Sequence, residues 1–124
     1  MLKDLMADNF QHTVSEQLIC NRGILHILSH HQESTAKIQR TVAKVISSCG
    51  CVQMEVRKLQ PAGVVDSDLT DLTGNLCCNC RERIENEIGR SLVYLAALCN
   101  LLDVNLFDVI IKENNKMEIL GHYI

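Results

Sequence analysis

The sequence predicts an all-α protein, because its composition and its apolar periodicity both favour helices. Apolar residues make up 47% of the 124 residues, with no Trp, two Phe and two Tyr, so the core must be built from Leu, Ile, Val and Ala. Such a core suits helix-on-helix packing, and the single proline argues against a chain of many turns. At 13.9 kDa the chain is expected to form one domain over residues 1–124.

The longest apolar pattern predicts a central helix over residues 77–102. Its apolar residues recur at steps of three and four and form one seam, made of Ile84, Ile88, Leu92, Leu95, Cys99 and Leu102. Charged residues fall mostly on the other faces of this helix. A chain of this size can cover one such seam internally, so the other helices are expected to pack around it.

Three further helices are predicted. Residues 8–29 carry a helical stripe of apolar side chains, and a second helix is expected over residues 34–48. Ser29 and Ser34 are candidate caps, and a break, or only a kink, is expected between these two helices at His30–His31. The last helix is capped by Asn105 and ends at Gly121.

The segment between the second and the central helix is expected to lie at the surface. Gly50 is available to cap the end of the second helix. Residues 52–56 alternate weakly in hydropathy, which predicts a short extended piece. Proline, glycines and short polar residues over 59–75 predict a surface connection with one helical turn near residues 68–72.

Two close pairs of cysteines flank this segment and predict a metal site. Cys49 and Cys51 lie at the end of the second helix, and Cys77 and Cys80 lie at the start of the central helix. If these helices pack antiparallel, the connection between them brings the two pairs together. Four thiolates arranged tetrahedrally are what Zn²⁺ prefers in a structural site. The thiol cluster joining residues 49–51 and 77–80 is therefore predicted to hold structural zinc.

Other interpretations of the seven cysteines remain open. The cluster could consist of small semi-buried thiols without a metal, or could form a redox-sensing disulfide. Cys80 is expected to gain thiolate character from the N-terminus of the central helix. Cys78 is a spare thiol or a replacement for Cys77, while Cys20 and Cys99 lie within helical patterns and are expected to be packing residues.

Charge and hydropathy disfavour some classes of partner. The net charge is −3 and the pI about 5.9, with no lysine-rich block, so nucleic-acid binding is disfavoured. The N-terminus lacks a long apolar run and no stretch approaches the length of a membrane span, so neither a signal peptide nor a membrane anchor is expected. We expect a cytoplasmic protein, in which thiols stay reduced.

One segment resembles a known family. Residues 87–98, EIGRSLVYLAAL, followed by residues 103–106, DVNL, resemble the MazG-like all-α nucleotide pyrophosphohydrolases, whose third helix has the form ELGDxLxYLAAL. The resemblance covers about residues 33–115 and is most specific over 85–110. It implies an antiparallel helical bundle, here of four main helices, that is usually dimeric or tetrameric. The chain is also similar to a small uncharacterised clostridial family bearing both SCGC and CxNCRExIE segments.

The resemblance also implies an active site, from which this sequence departs. MazG-like enzymes hold Mg²⁺ with an ExxE pair on one helix and an ExxD pair on the next, since Mg²⁺ prefers oxygen ligands. Here Glu87 matches the first member of ExxD, but Arg90 stands where the aspartate belongs. On the preceding helix Glu33 is followed by Ala36, so ExxE is absent there. Glu33 and Glu87 are the candidate catalytic residues, and Glu87 and Arg90 the candidate ligand-binding residues.

Three functions follow as hypotheses. The first is a catalytically degenerate MazG-like helical protein with a structural zinc site, which acts by binding a nucleotide or a protein partner. The second is an active Mg²⁺-dependent nucleoside triphosphate pyrophosphohydrolase with a rearranged carboxylate set. The third is a zinc-bearing regulatory protein. Magnesium is expected only if the protein is enzymatically active.

A homodimer or higher homo-oligomer is also expected. Val93, Tyr94, Leu98 and Leu101 flank the central seam, so the central helix is apolar over more than one face. Apolar surface beyond the one seam that the chain can cover predicts a partner surface.

Overall fold

The computed structural model describes residues 2–17, 23–56 and 70–121. These residues form four α-helices and one two-stranded antiparallel sheet, in the order α1 (Leu2–Glu16), α2 (Ile24–Lys44), β1 (Val52–Val56), β2 (Thr70–Gly74), α3 (Cys78–Leu101) and α4 (Leu106–Leu120). The described chain is mostly helical, so the predicted helical class and the number of helices are confirmed. The small sheet is an addition to the all-α prediction.

The predicted boundary between the first two helices is wrong. α2 runs without a break through residues 29–34, and Ser34 is buried rather than a cap at an exposed helix end. The break lies earlier, between the end of α1 at Glu16 and the start of α2 at Ile24. Gly23 stands directly before α2, and glycine disfavours a helix interior because it loses the most backbone entropy.

The described residues divide into two compact units. The terminal unit contains residues 1–33 and 90–124, and the hairpin unit contains residues 34–89. No single described helix is both long and apolar enough to cross a bilayer, whereas α3 and α4 meet that criterion only as a pair bent by 108°.

The terminal unit is built around a small aliphatic core. Its buried residues come from α1, α2 and α3 and are Val14, Ile27, Ala96 and Ala97. Two adjacent alanines let neighbouring helices approach closely, because they add little volume to the contact. Phe10, Val93, Leu98 and Leu106 pack around this core and are partly buried.

The turn between α3 and α4 is held by two side chains of α1, Gln11 and Asp8, and Asp8 Oδ1 accepts from Asn105 Nδ2 at 3.3 Å. Gln11 Nε2 donates to the carbonyl of Val104 at 2.8 Å, and Gln11 Oε1 accepts from the N–H of Leu106 at 2.8 Å. The predicted cap is confirmed, since Asn105 Oδ1 accepts from the N–H of Asp108 at 2.9 Å. Gly121 ends α4 with φ 74°, as predicted.

Within the hairpin unit, α2 is followed by a π-helical turn over Val45–Cys49. Gly50 closes this turn in the left-handed region, at φ 74°, and its N–H donates to the carbonyl of Val45 at 3.0 Å, which confirms it as a C-cap. β1 confirms the predicted extended piece. Residues 70–74 form β2, so the predicted helical turn near 68–72 is wrong there; residues 57–69 lie outside the described part of the chain.

Much of the predicted central seam is exposed within the chain. Leu92 is 46% exposed and Leu95 36% exposed, whereas the buried hydrophobic positions of α3 are Cys80, Ala96 and Ala97. The internal contacts of α3 are therefore made at two places, by Cys80 with Ile84 near its start and by Ala96 and Ala97 with Val93 and Leu98 further along.

Gly74→Ala should destabilise the hairpin unit. A Cβ at Gly74 would overlap the carbonyl oxygen of Cys51, and the residue adopts φ 92°, which L side chains avoid. We expect the free energy of unfolding in urea to fall by about 1–3 kcal/mol. Gly23→Ala is the matched control, because a Cβ there meets nothing within 4 Å. Equal stability of the two variants would contradict this account of the hairpin.

Candidate metal centre

The hairpin positions the four predicted cysteine ligands. Cys49 and Cys51 come directly before β1, and Cys77 and Cys80 follow shortly after β2. The strands pair in a register that sets Val52 against Gly74, so the chain enters and leaves the hairpin at neighbouring points. Both cysteine pairs are therefore delivered to the base of the hairpin.

The four sulfur atoms lie close enough to share one metal ion. All four lie within 4.8 Å of one another, and Cys49 Sγ and Cys77 Sγ are 3.8 Å apart. With metal–sulfur bonds of about 2.3 Å, a regular ZnS₄ tetrahedron places its sulfurs about 3.8 Å apart. The four cysteines are free thiols rather than disulfides. The cluster can therefore hold a metal ion.

The cluster favours one thiolate, on Cys77. The N–H of Cys80 and then the Cys80 thiol stabilise the Cys77 sulfur, and they lower the pKa of Cys77 from 9.0 to about 7. The same sulfur contact and then burial raise the pKa of Cys80 to about 12. The expectation that Cys80 gains thiolate character from the helix N-terminus is therefore wrong. Cys77 directly precedes α3, and its sulfur accepts from the N–H of Cys80, one of the N–H groups that the first turn of a helix leaves without a backbone partner.

The cluster is anchored on one side and open on another. Cys80 is 4% exposed and lies in a core cluster with Val45 and Val52, while Cys49 is exposed. A ligand fixed in the core gives the site rigidity, and an exposed ligand leaves a route for an ion to enter.

The remaining cysteines lie outside the cluster. Cys78 is exposed and is not among the four grouped sulfurs, which fits a spare thiol. Cys99 is half-buried, and burial raises its pKa, as expected for a packing residue. Cys20 lies outside the described residues.

The other candidate site residues have different surroundings. Glu33 is exposed on α2, and its Oε2 lies 3.9 Å from Nδ1 of His30. Glu87 is largely buried, with 15% of its side chain exposed, and its Oε1 lies 3.6 Å from Lys37 Nζ. Arg90 is exposed on α3. Among the described residues, the cysteine cluster is the group of three or more His, Cys, Asp or Glu side chains that could share a metal ion, and neither Glu33 nor Glu87 belongs to it.

A pocket that the sequence reasoning missed adjoins Glu87. We call it the basic pocket; its volume is about 220 Å³, and its lining is Lys37, Arg40, Thr41, Lys44, Arg83, Asn86 and Glu87. Lys37, Arg40 and Lys44 recur at steps of three and four along α2, a spacing visible in the sequence. The contribution of α3 could not be read from spacing, because it depends on how the two helices pack.

A scan against protein-family models, a search of curated proteins and a search of solved structures each gave no match for this chain. The chemistry of the cluster and of the basic pocket therefore carries the functional argument.

Alkylation of the metal-free protein should distinguish the cluster thiols. At pH 7 roughly half of Cys77 is thiolate, because its pKa is about 7, whereas Cys80, with a pKa of about 12, stays protonated. Within the cluster, limiting iodoacetamide should therefore label Cys77 first and Cys80 last, as measured by peptide mass spectrometry. Labelling of Cys80 as fast as Cys77 would show that the protonation pattern is different.

Proposed function

We propose that Cys49, Cys51, Cys77 and Cys80 hold a structural Zn²⁺ ion and that the protein acts by binding a partner rather than by catalysis. The observation that carries the proposal is the grouping of the four sulfurs within 4.8 Å of one another, with the Cys49–Cys77 separation of 3.8 Å equal to that in a ZnS₄ tetrahedron. Four protein ligands leave no open position for water or substrate, so such an ion stabilises structure instead of activating a nucleophile.

The size of the core in the hairpin unit supports a structural role. Its buried hydrophobic cluster consists of Val45, Val52 and Cys80, and one of these three is itself a proposed ligand. A core this small supplies little stability, and natural proteins often reinforce such units with a metal. Close free thiols also favour a reducing compartment, and we propose the cytoplasm.

We propose that the protein is a catalytically degenerate MazG-like helical protein, which binds a nucleotide or a protein partner. Support comes from the resemblance of residues 87–98 to the family's third helix and from the mostly helical architecture. The ion pair between Glu87 and Lys37 argues for binding without turnover, since an ammonium group takes the oxygen that a magnesium site would use.

Zinc content tests the proposal directly. Protein purified without chelator should carry about one Zn²⁺ per chain. Cys77→Ser should lose the metal and lower the melting temperature, because metal binding is coupled to folding. Cys78→Ser is the matched control, since Cys78 lies beside a ligand but outside the cluster. Purified wild-type protein without stoichiometric metal would overturn the zinc proposal.

Nucleoside triphosphate hydrolysis should be absent or very weak. Phosphate chemistry of this kind needs Mg²⁺ held by several carboxylates, and Glu87 is engaged by Lys37 while Arg90 replaces the expected aspartate. The measurement is pyrophosphate release from common and modified nucleotides with Mg²⁺ and Mn²⁺. Robust turnover that is lost in Glu87→Gln would favour the second hypothesis, an active pyrophosphohydrolase.

We also propose that the protein forms a homodimer or higher homo-oligomer through the terminal unit. α4 has no buried residue, although it carries large apolar side chains exposed by 41–83%, namely Val109, Ile110, Ile111, Met117, Ile119 and Leu120. Helices in proteins are stabilised mainly by burying an apolar face, so the exposed apolar face of α4 is expected to pack against a partner surface. A second copy supplies one, since it exposes the same apolar face.

Light scattering at micromolar concentration should give at least the mass of a dimer. Ile110→Glu with Met117→Glu should shift the protein toward monomer, because both substitutions would place a charge on the apolar face of α4 that forms the proposed interface. Gln32→Glu adds a charge at an exposed polar position of α2 and should leave the mass unchanged. A monomer mass for the wild-type protein would count decisively against the oligomer.

A further inference from the structure

We propose that the basic pocket binds a protonated phosphate group, and that Glu87 selects this group over sulfate. The inference deepens the proposed binding function, on which it rests, because it names a class of ligand and a site. The pocket lies within the hairpin unit, between α2 and α3.

The charge of the pocket opposes that of the whole chain. Four cationic side chains and one carboxylate line it, the cations being Lys37, Arg40, Lys44 and Arg83, whereas the chain has a net charge of −3. Like charges on neighbouring helix positions repel, so this arrangement is unfavourable unless an anion offsets it. A concave surface lined by one sign of charge concentrates the field and draws in ligands of the opposite sign.

The donors in the pocket suit a tetrahedral oxyanion. Arg40 and Arg83 each present a planar fork of N–H groups that matches two oxygens of a phosphate. The hydroxyl of Thr41 and the amide of Asn86 add neutral donors, and Thr41 is buried, so its side chain has few competing contacts with bulk water. These groups can surround an anion without a divalent metal ion.

The volume of the pocket limits what can enter. At about 220 Å³ it falls below the roughly 300 Å³ at which sites for drug-sized ligands begin. A phosphate group with a few waters fits, so the remainder of any larger phosphoester must lie outside the lining.

Glu87 makes the pocket selective. Its Oε1 faces Lys37, but within the described residues its buried Oε2 has no hydrogen-bond partner. A carboxylate can only accept hydrogen bonds, so Oε2 repels a fully ionised anion and accepts from one that still carries an O–H group. Inorganic phosphate keeps a proton near neutral pH and sulfate does not. The unpartnered oxygen therefore distinguishes two anions of similar size and shape.

Isothermal titration calorimetry of the zinc-loaded protein tests the inference, in chloride buffer near pH 6, where inorganic phosphate and about half of a phosphate monoester carry an O–H group. The probes are inorganic phosphate, adenosine monophosphate and sulfate. We expect both phosphates to bind at least about tenfold more tightly than sulfate, the size of effect that one hydrogen bond to a charged group produces. Tighter binding of adenosine monophosphate would identify a phosphoester as the source of the group, and tighter binding of inorganic phosphate would identify the free ion.

Three variants locate the binding. Arg40→Gln with Lys44→Gln should weaken phosphate binding by about tenfold or more, because both residues supply charged donors. Glu87→Gln should remove most of the preference for phosphate, because an amide can donate to sulfate. Lys112→Gln, which removes an exposed cation of α4 outside the pocket, is the matched control and should change neither affinity.

Three results would overturn the inference: no phosphate binding at millimolar concentration, equal binding of sulfate by the wild-type protein, or unchanged phosphate binding in the double variant. Zinc content measured on the same samples reports on the metal site separately. Intact zinc without phosphate binding would refute only the ligand assignment, and phosphate binding without zinc would refute only the metal proposal.

Discussion

The antiparallel register of β1 and β2 is the constraint on which the cysteine cluster depends. Pairing of Val52 with Gly74 brings the end of the π-helical turn beside the start of α3, and both cysteine pairs lie at these two points. A slip of one residue would turn every strand side chain to the opposite face and would separate the pairs. Gly74 permits the register, since any larger residue there would overlap the Cys51 carbonyl.

Four elements of the hairpin unit converge on the cluster: the end of α2, both strands and the start of α3. Hydrophobic burial in this region is slight, and Cys80 belongs both to the core and to the sulfur group. A bound ion would join these elements through short, strong bonds that the small core cannot replace. The same packing of α2 against α3 forms the basic pocket, so an ion that orders the unit also orders the groups that we propose hold phosphate.

The sequence predicted the helices and the cysteine pairs because local patterns specify both. Apolar spacing marks α3, and two close pairs of cysteines are visible without a structure. The boundary between the first helices was misplaced because Ser34 has the residue type of a cap, whereas its position in the structure is inside α2. Intrinsic preference at one residue is weaker than the packing of a whole helix.

The features that were missed depend on contacts between distant residues. The pairing of residues 70–74 with β1 requires a register that weak alternation does not specify. The thiolate falls on Cys77 because the N–H of Cys80 points at its sulfur, and sequence alone does not give that direction. Likewise, Arg83 and Glu87 join the cations of α2 only when α3 packs beside it.

X-ray absorption spectroscopy at the zinc edge is the most direct measurement of the central claim, a metal ion held by the four cysteines. The account predicts a first shell of four sulfur atoms at about 2.3 Å, the distance typical of zinc thiolates. A shell containing nitrogen or oxygen, or fewer than four sulfurs, would show that these thiols do not form the site.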